Sequence, residues 1–401
     1  MRCSSRQFLF LILLAGLVLM HESRTASLRR VEDAFQTWLT ANAARHATPA
    51  PLALVQIADE DLAAHPWPWT PVDGSLFLNA ALMFEPRVVA VEPVLAWKEA
   101  DSSQAALFHN QLLRAPKALL GAEFGFPEDA ALLPPLQEVP VLRHVTGDVS
   151  RVPDFSVIGA QPGEDLRAAA SLGFFAPPDG SRPGALRRVP LVFRYRGLVT
   201  PSFVLQAAML WYGVTPEEVE VVPGSHIALG KALRIPVDAA GTMVVDFGVP
   251  FTRFPVSDLI LAAEQAQSGL AKAEALAPVG VLKDGLALLA RTDKESRTLP
   301  LANKRRGSRG ELAAAAIATL QAGAFPVRAG VPVEAAIIVA AGLLGWLCNR
   351  RSKLAAAALC TGALCIYLLG ALGVFSACQV ALPLLLPVGL LLFLLFYRQL
   401  E

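Results

Sequence analysis

Three apolar runs close the chain, approximately Val331 to Cys348, Leu354 to Phe375 and Val380 to Tyr397. Each approaches the roughly 20 residues that a helix needs to cross a bilayer, and only Glu334 interrupts them, near one end. A fourth run, Gln7 to Met20, follows Arg2 and Arg6 and is shorter. The segment after it, HESRTAS, lacks a clean small-x-small cleavage pattern, so an uncleaved anchor is expected in place of a signal peptide. A mean hydropathy of +0.47 with only 17% charged residues agrees with a chain built partly for lipid.

Charge placement orients these runs. The loop NRRSK, with Arg350, Arg351 and Lys353, joins the first two C-terminal runs, whereas the uncharged SACQ joins the second and third. The positive-inside rule puts NRRSK, Arg2, Arg6 and the final YRQLE in the cytoplasm. The expected organisation is therefore an anchor at 1–22, an outer domain at 23–330 and three membrane helices at 331–401. The expectation is a multi-pass protein of the inner (plasma) membrane, with its middle region periplasmic or extracellular.

That middle region has no cysteine between residues 21 and 330, because the five are Cys3, Cys348, Cys360, Cys365 and Cys378. A disulfide framework or a cysteine-based zinc site is excluded there. The net charge of +1 gives no reason to expect a nucleic-acid partner.

After the first anchor, Leu28, Val31, Phe35, Trp38 and Leu39 recur at helical spacing. LALVQIA (52–58), RVVAVEPV from Arg87 and KALLGAEF (117–124) read as buried strands. Between them, Thr70-Pro71-Val72-Asp73 has capping-box spacing and opens a helix to about Phe84, and a second helix covers about Ser102 to Leu113. Apolar strands alternating with helices predict a parallel sheet covered on both faces.

The proline-rich stretch from Ala130 to Glu164 reads as a surface excursion, and Asp179-Gly180 as a turn. Further on come a strand with a hairpin at Tyr195 to Gly197, the helix PSFVLQAAMLWYG, the strand GTMVVDF, a helix over about Ser257 to Ala275 and the strand GLALLAR. Ser308 to Glu311 repeats the capping-box spacing and starts a helix that Gly323 closes.

These features together resemble the CHASE2 family, extracytoplasmic sensory modules of bacterial signalling proteins. LALVQIADEDL, PWPWT and RVVAVEP match its opening strand, W-P-W turn and second strand. SLGFFAPPDGSRPGALRRVPLVFRYRG, PSFVLQAA and GTMVVDFG follow in the family's order, and GLALLARTDKESRTLPLANKRRGSRGELAAAAIATLQAG is similar to its closing part. The arginine that often follows W-P-W is absent, and Glu92 stands where the family often has aspartate. The resemblance implies an α/β extracytoplasmic domain with a mainly parallel sheet, plus one N-terminal and three C-terminal transmembrane helices. Family members usually carry a cytoplasmic kinase or cyclase after the third helix, whereas this sequence stops at Glu401. A separate cytoplasmic signalling protein of kinase or cyclase type is accordingly the expected partner, alongside the membrane and a homodimer.

In a parallel sheet Asp59, Glu92 and Glu123 fall at the carboxyl ends of strands, where open α/β sheets bind ligands. With Asp61, Trp67 and Trp69 they form the candidate ligand-binding set: carboxylates for a cation or basic ligand, rings for stacking. The competing reading has the carboxylates capping helices or facing water, and at least one tryptophan plugging a core. The alternation of Trp67 and Trp69 with prolines is expected to point the two rings in opposite directions, one against the capped helix and the other toward the acidic edge. The basic run from Lys304 to Arg309 reads as a solvated loop.

No GxSxG, HExxH, Walker A or paired Cys/His spacing occurs. The expectation is a sensor or signal-coupling subunit with no catalytic residues, no metal and no cofactor. The alternatives are a non-signalling membrane-anchored scaffold and an extracytoplasmic hydrolase.

Overall fold

The computed structural model describes residues 18, 26–43, 48–97, 101–125, 139–177, 186–269, 277–301, 306–349 and 352–400. The expected N-terminal anchor, apart from Val18, and the Asp179-Gly180 turn lie outside the described residues. The chain divides into two compact units, residues 47–325 and residues 1–46 with 326–401.

The first of these is built on one sheet. Its strands are β1 (Leu52–Ile57), β2 (Val88–Val91), β3 (Ala118–Gly125), β4 (Val157–Ala160), β5 (Ser171–Phe175), β6 (Thr252–Pro255) and β7 (Leu286–Arg291). Their order is β6-β1-β7-β2-β3-β4, with β5 also paired to β3. Every pairing is parallel except that of β4, which runs antiparallel along the end of β3 across a register shift at Glu123/Phe124. The mainly parallel sheet expected from the apolar runs is present.

Alternation along the strands divides this sheet into two buried faces, as a period of two requires. Leu52, Leu54, Val88, Ala90, Leu119, Leu286 and Leu288 join one core. Ala53, Val55, Ile57, Val89, Val91, Leu120, Ala287 and Leu289 join the other. Burial of each larger aliphatic side chain contributes about 1.5–3 kcal/mol, which is why strands covered on both faces carry no polar alternation.

The first two helices among the described residues are α1 (Ala26–Asn42) and α2 (Asp59–Ala64). Next come α3 (Pro71–Leu82), α4 (Ser102–Leu112), α5 (Glu164–Ala169), α6 (Phe203–Tyr212), α7 (Val256–Gln267) and α8 (Arg309–Ala322). The second core packs against α3, α4 and α7, and the first against α6 and α8. Both capping boxes expected from sequence are formed, Thr70 with Asp73 at α3 and Ser308 with Glu311 at α8, and Gly323 closes α8 in the left-handed region. The hairpin is also where expected: Tyr195 pairs with Leu198 across Arg196 and Gly197, both at positive φ as a two-residue type I′ turn demands.

Two expectations need correction. The stretch from Ala130 to Glu164 is not only a surface excursion, since its β4 joins the sheet and its short strand at 144–145 pairs with Val219–Val222. Helix α7 ends at Gln267 instead of about Ala275, because Gly269 follows at positive φ. Strand β7, expected as a strand but given no place in the sheet by its sequence, inserts between β1 and β2.

In the other unit the apolar runs form α9 (Val331–Asn349), α10 (Lys353–Cys378) and α11 (Leu385–Leu400). Two of these, α9 and α10, are long and apolar enough to cross a membrane. The third run differs from expectation: Val380–Ala381 pairs with Val327–Arg328, and α11 begins only after Pro383. At 1.5 Å per residue its 16 residues span about 24 Å, short of a hydrocarbon core of about 30 Å. Glu334 is buried and accepts a hydrogen bond from Arg328 Nη2 at 3.1 Å, so the one charge in the first run is neutralised locally. On α1, Phe35 and Leu39 pack with Ala371 and Phe375, the amphipathic face expected of that helix.

Candidate functional site

The carboxyl edge of the sheet collects most of the candidate residues and two arginines that the sequence reading left out. Strand β2 ends at Val91, and the next residue, Glu92, donates its backbone N–H to the Leu289 carbonyl of β7 at 2.9 Å. Its side chain is only 4% exposed. Glu123, on β3, lies opposite Phe175 of β5.

Both carboxylates meet the guanidinium of Arg309, the first residue of α8. Arg309 Nε donates to Glu92 Oε1 at 2.5 Å, and Arg309 Nη1 donates to Glu123 Oε1. The same guanidinium lies over the Phe175 ring, 4.3 Å from its centroid, and Phe175 stacks on Phe203 of α6. One planar cation thus joins β2, β3, β5 and α8. Burial opposes its charge, but the attraction of Glu92 and then of Glu123 raises its pKa above the ordinary arginine value.

The solvated loop expected for the basic run is therefore corrected at Arg309. Helix α8 carries it to this place because Ser308 caps the helix and Gly310 seats it: a Cβ on Gly310 would lie 2.2 Å from the Ala290 side chain of β7. The helix N-terminus favours a nearby anion, and the Gly310 position is 3.6 Å from Glu92 Oε2.

A second cluster repeats this chemistry. Arg291 grips Asp293 with two hydrogen bonds of 2.9 Å and lies over the Trp67 ring at 4.9 Å. Asp293 is 2% exposed; burial alone would push its carboxyl up, but Arg291, with help from Ser296, holds it below the usual aspartate value.

The remaining candidates separate from these clusters. Asp61 is buried and accepts from the backbone N–H groups of Ala58 at 2.8 Å and Ser257 at 3.2 Å, so it ties α2 to the start of α7. Asp59 is exposed and accepts from the Lys294 backbone N–H at 3.2 Å. Trp69 is 4% exposed and belongs to the core; Trp67 is half-buried. Their rings are neighbours, with centroids 6.4 Å apart, and do not point in opposite directions. The chain bends at Trp67 and Pro68, so strand-like alternation does not hold there.

Chemically, the edge is a set of arginines held between carboxylates and aromatic rings. Among the described residues no group of three or more His, Cys, Asp or Glu side chains is arranged to hold a metal ion. Glu92 and Glu123, two of the carboxylates expected to meet a cation, already meet one, supplied by the chain itself.

A family model for the CHASE2 domain matches residues 9–348, most of the chain. The chain belongs to the CHASE2 domain family. CHASE2 domains are extracytoplasmic sensory domains, and the match runs from the N-terminal apolar run through α9. No curated protein and no solved structure matches the chain. In this CHASE2 domain, Arg309 and Arg291 are the site residues missed by sequence reasoning. The capping box at Ser308 was the available signal, because it fixes Arg309 as the first residue of a helix and not as part of a loop.

Proposed function

We propose that this CHASE2 protein is a non-enzymatic, multi-pass inner-membrane sensor or signal-coupling subunit that acts through a separate cytoplasmic protein of kinase or cyclase type. The observation that carries the reading is the Arg309 junction. Helix α8 is the last helix of the sheet domain, and its sequence runs through Gly323 to Phe325 directly into the segment that becomes α9. Its first residue is held by carboxylates from two different strands.

A stimulus that favours a state with Arg309 released shifts α8, and with it the start of the membrane segment. It does so only as far as its affinity differs between held and released states. Asp59, Asp61, Trp67, Trp69, Glu92 and Glu123 then act as the frame of the edge, with Glu92 and Glu123 as the residues that hold α8.

A second reading, a membrane-anchored scaffold without signalling, draws support from how fully Asp61, Glu92, Glu123 and Asp293 are engaged within the domain. Cross-linking in native membranes separates the two. The sensor reading predicts that a kinase or cyclase activity is retrieved with the membrane helices. Retrieval of no such activity, with and without cross-linker, supports the scaffold.

A further inference from the structure

The amino edge of the sheet, opposite the Arg309 junction, holds a cavity of about 590 Å³ lined by Leu82, Glu85, Pro86, Arg87, Arg114, Pro116, Lys117 and Asp284. Three of these residues are cations, brought from separate places: Arg87 immediately before β2, Arg114 just after α4 and Lys117 immediately before β3. None of the three forms an ion pair among the described residues.

Their existing contacts leave binding capacity. Lys117 Nζ donates to the Leu210 carbonyl at 2.7 Å, one of the three hydrogen bonds an ammonium can donate. Arg87 lies over the Trp211 ring, 5.2 Å from its centroid, and its guanidinium makes no hydrogen bond among the described residues. Arg114 Nη1 donates to Gln111 Oε1 at 2.7 Å.

The site is also electrostatically unbalanced. Burial, and then the neighbouring charge of Arg87, lowers the pKa of Lys117 below the ordinary lysine value. Glu85 and Asp284 line the same cavity without pairing with these cations, so three positive charges face two negative ones. A compact anion between Arg87 and Lys117 relieves their repulsion and accepts charge-assisted hydrogen bonds from both.

We propose that this cavity binds a compact phosphate-type oxyanion through Arg87, Lys117 and Arg114. The two carboxylates restrict it to a single group, since a polyanion would meet Glu85 and Asp284. Such an anion can arrive free in solution or as a lipid headgroup. The site is independent of the Arg309 junction and of the signalling proposed for it.

The test uses the full chain in phosphatidylcholine nanodiscs, with indole fluorescence as the signal, because Arg87 lies on Trp211. Inorganic phosphate is titrated at constant ionic strength against chloride, and a parallel sample carries phosphatidylglycerol in place of phosphate. The expected result is a saturable change specific to one phosphate source, lost in Trp211→Phe. In Arg87→Gln and in Lys117→Met the binding weakens by about tenfold or more, as loss of one charge-assisted contact implies. A response to inorganic phosphate assigns a free anion, and a response to phosphatidylglycerol alone assigns a headgroup. The proposal is overturned if neither source gives a saturable change, or if Arg87→Gln and Lys117→Met, with thermal unfolding like the parent, bind as the parent does.

Discussion

Arg309 Nε stands 2.5 Å from Glu92 Oε1, across 217 residues of sequence, and joins the start of the domain's last helix to the end of its second strand. The pair is shielded: Glu92 has a side chain 4% exposed and Arg309 one 28% exposed. Removal of Arg309 leaves the Glu92 charge buried and alone, a larger effect than loss of a surface ion pair.

Arg309→Met is therefore expected to destabilise the domain by about 3–5 kcal/mol. Combining it with Glu92→Gln and Glu123→Gln should recover a large share, because no isolated charge remains. Denaturant midpoints of the full chain in detergent measure both. A triple variant no more stable than Arg309→Met alone would show that the buried charge is not the cause.

Stability in acid should depend on Asp293. Its folded pKa lies below the unfolded value of about 3.9, so its contribution is fully present above that value and is lost as pH falls through the folded pKa. Asp293→Asn should lower stability at neutral pH and flatten the acid limb below about pH 4. An acid limb unchanged in slope contradicts the pairing with Arg291.

The two tryptophans of the HPWPWT turn should separate energetically. Trp69→Ala opens the core and should cost about 3–5 kcal/mol. Trp67 is half-buried beneath Arg291, and a Trp67→Ala, Arg291→Ala double-mutant cycle should give a coupling of about 0.5–1 kcal/mol. A coupling near zero would remove Trp67 from the edge cluster.

Much of this arrangement is legible in sequence where the signal is local. The apolar runs of β1, β2 and β3, the Thr70 and Ser308 caps and the Arg196-Gly197 turn each depend on a few adjacent residues. The place of β7 between β1 and β2 does not, since the crossovers that decide strand order leave no mark on the strands themselves. Arg309 fell between the two cases. Its neighbours RRGSR have the composition of a loop, while its partners Glu92 and Glu123 lie on strands distant in sequence. The late start of α11 was hidden by Val380 and Ala381, which are apolar enough to read as helix but pair as a strand instead.

The membrane orientation can be read from a single added thiol. Residues 21–330 contain no cysteine, and Ser268, at the end of α7, is exposed. A membrane-impermeant maleimide should label Ser268→Cys in intact spheroplasts, above the background of the parent chain. Labelling seen only after the membrane is broken would place the sheet domain in the cytoplasm and end the sensor reading.

The most direct test of the central claim is output from native membranes. Kinase or cyclase activity captured with the protein is compared for the parent, Arg309→Gln and Arg309→Lys, each at equal membrane level. Release of α8 in Arg309→Gln should shift that activity several-fold, with Arg309→Lys nearer the parent because it keeps a cation between Glu92 and Glu123. Equal activity in all three, or none captured with any, would contradict the account.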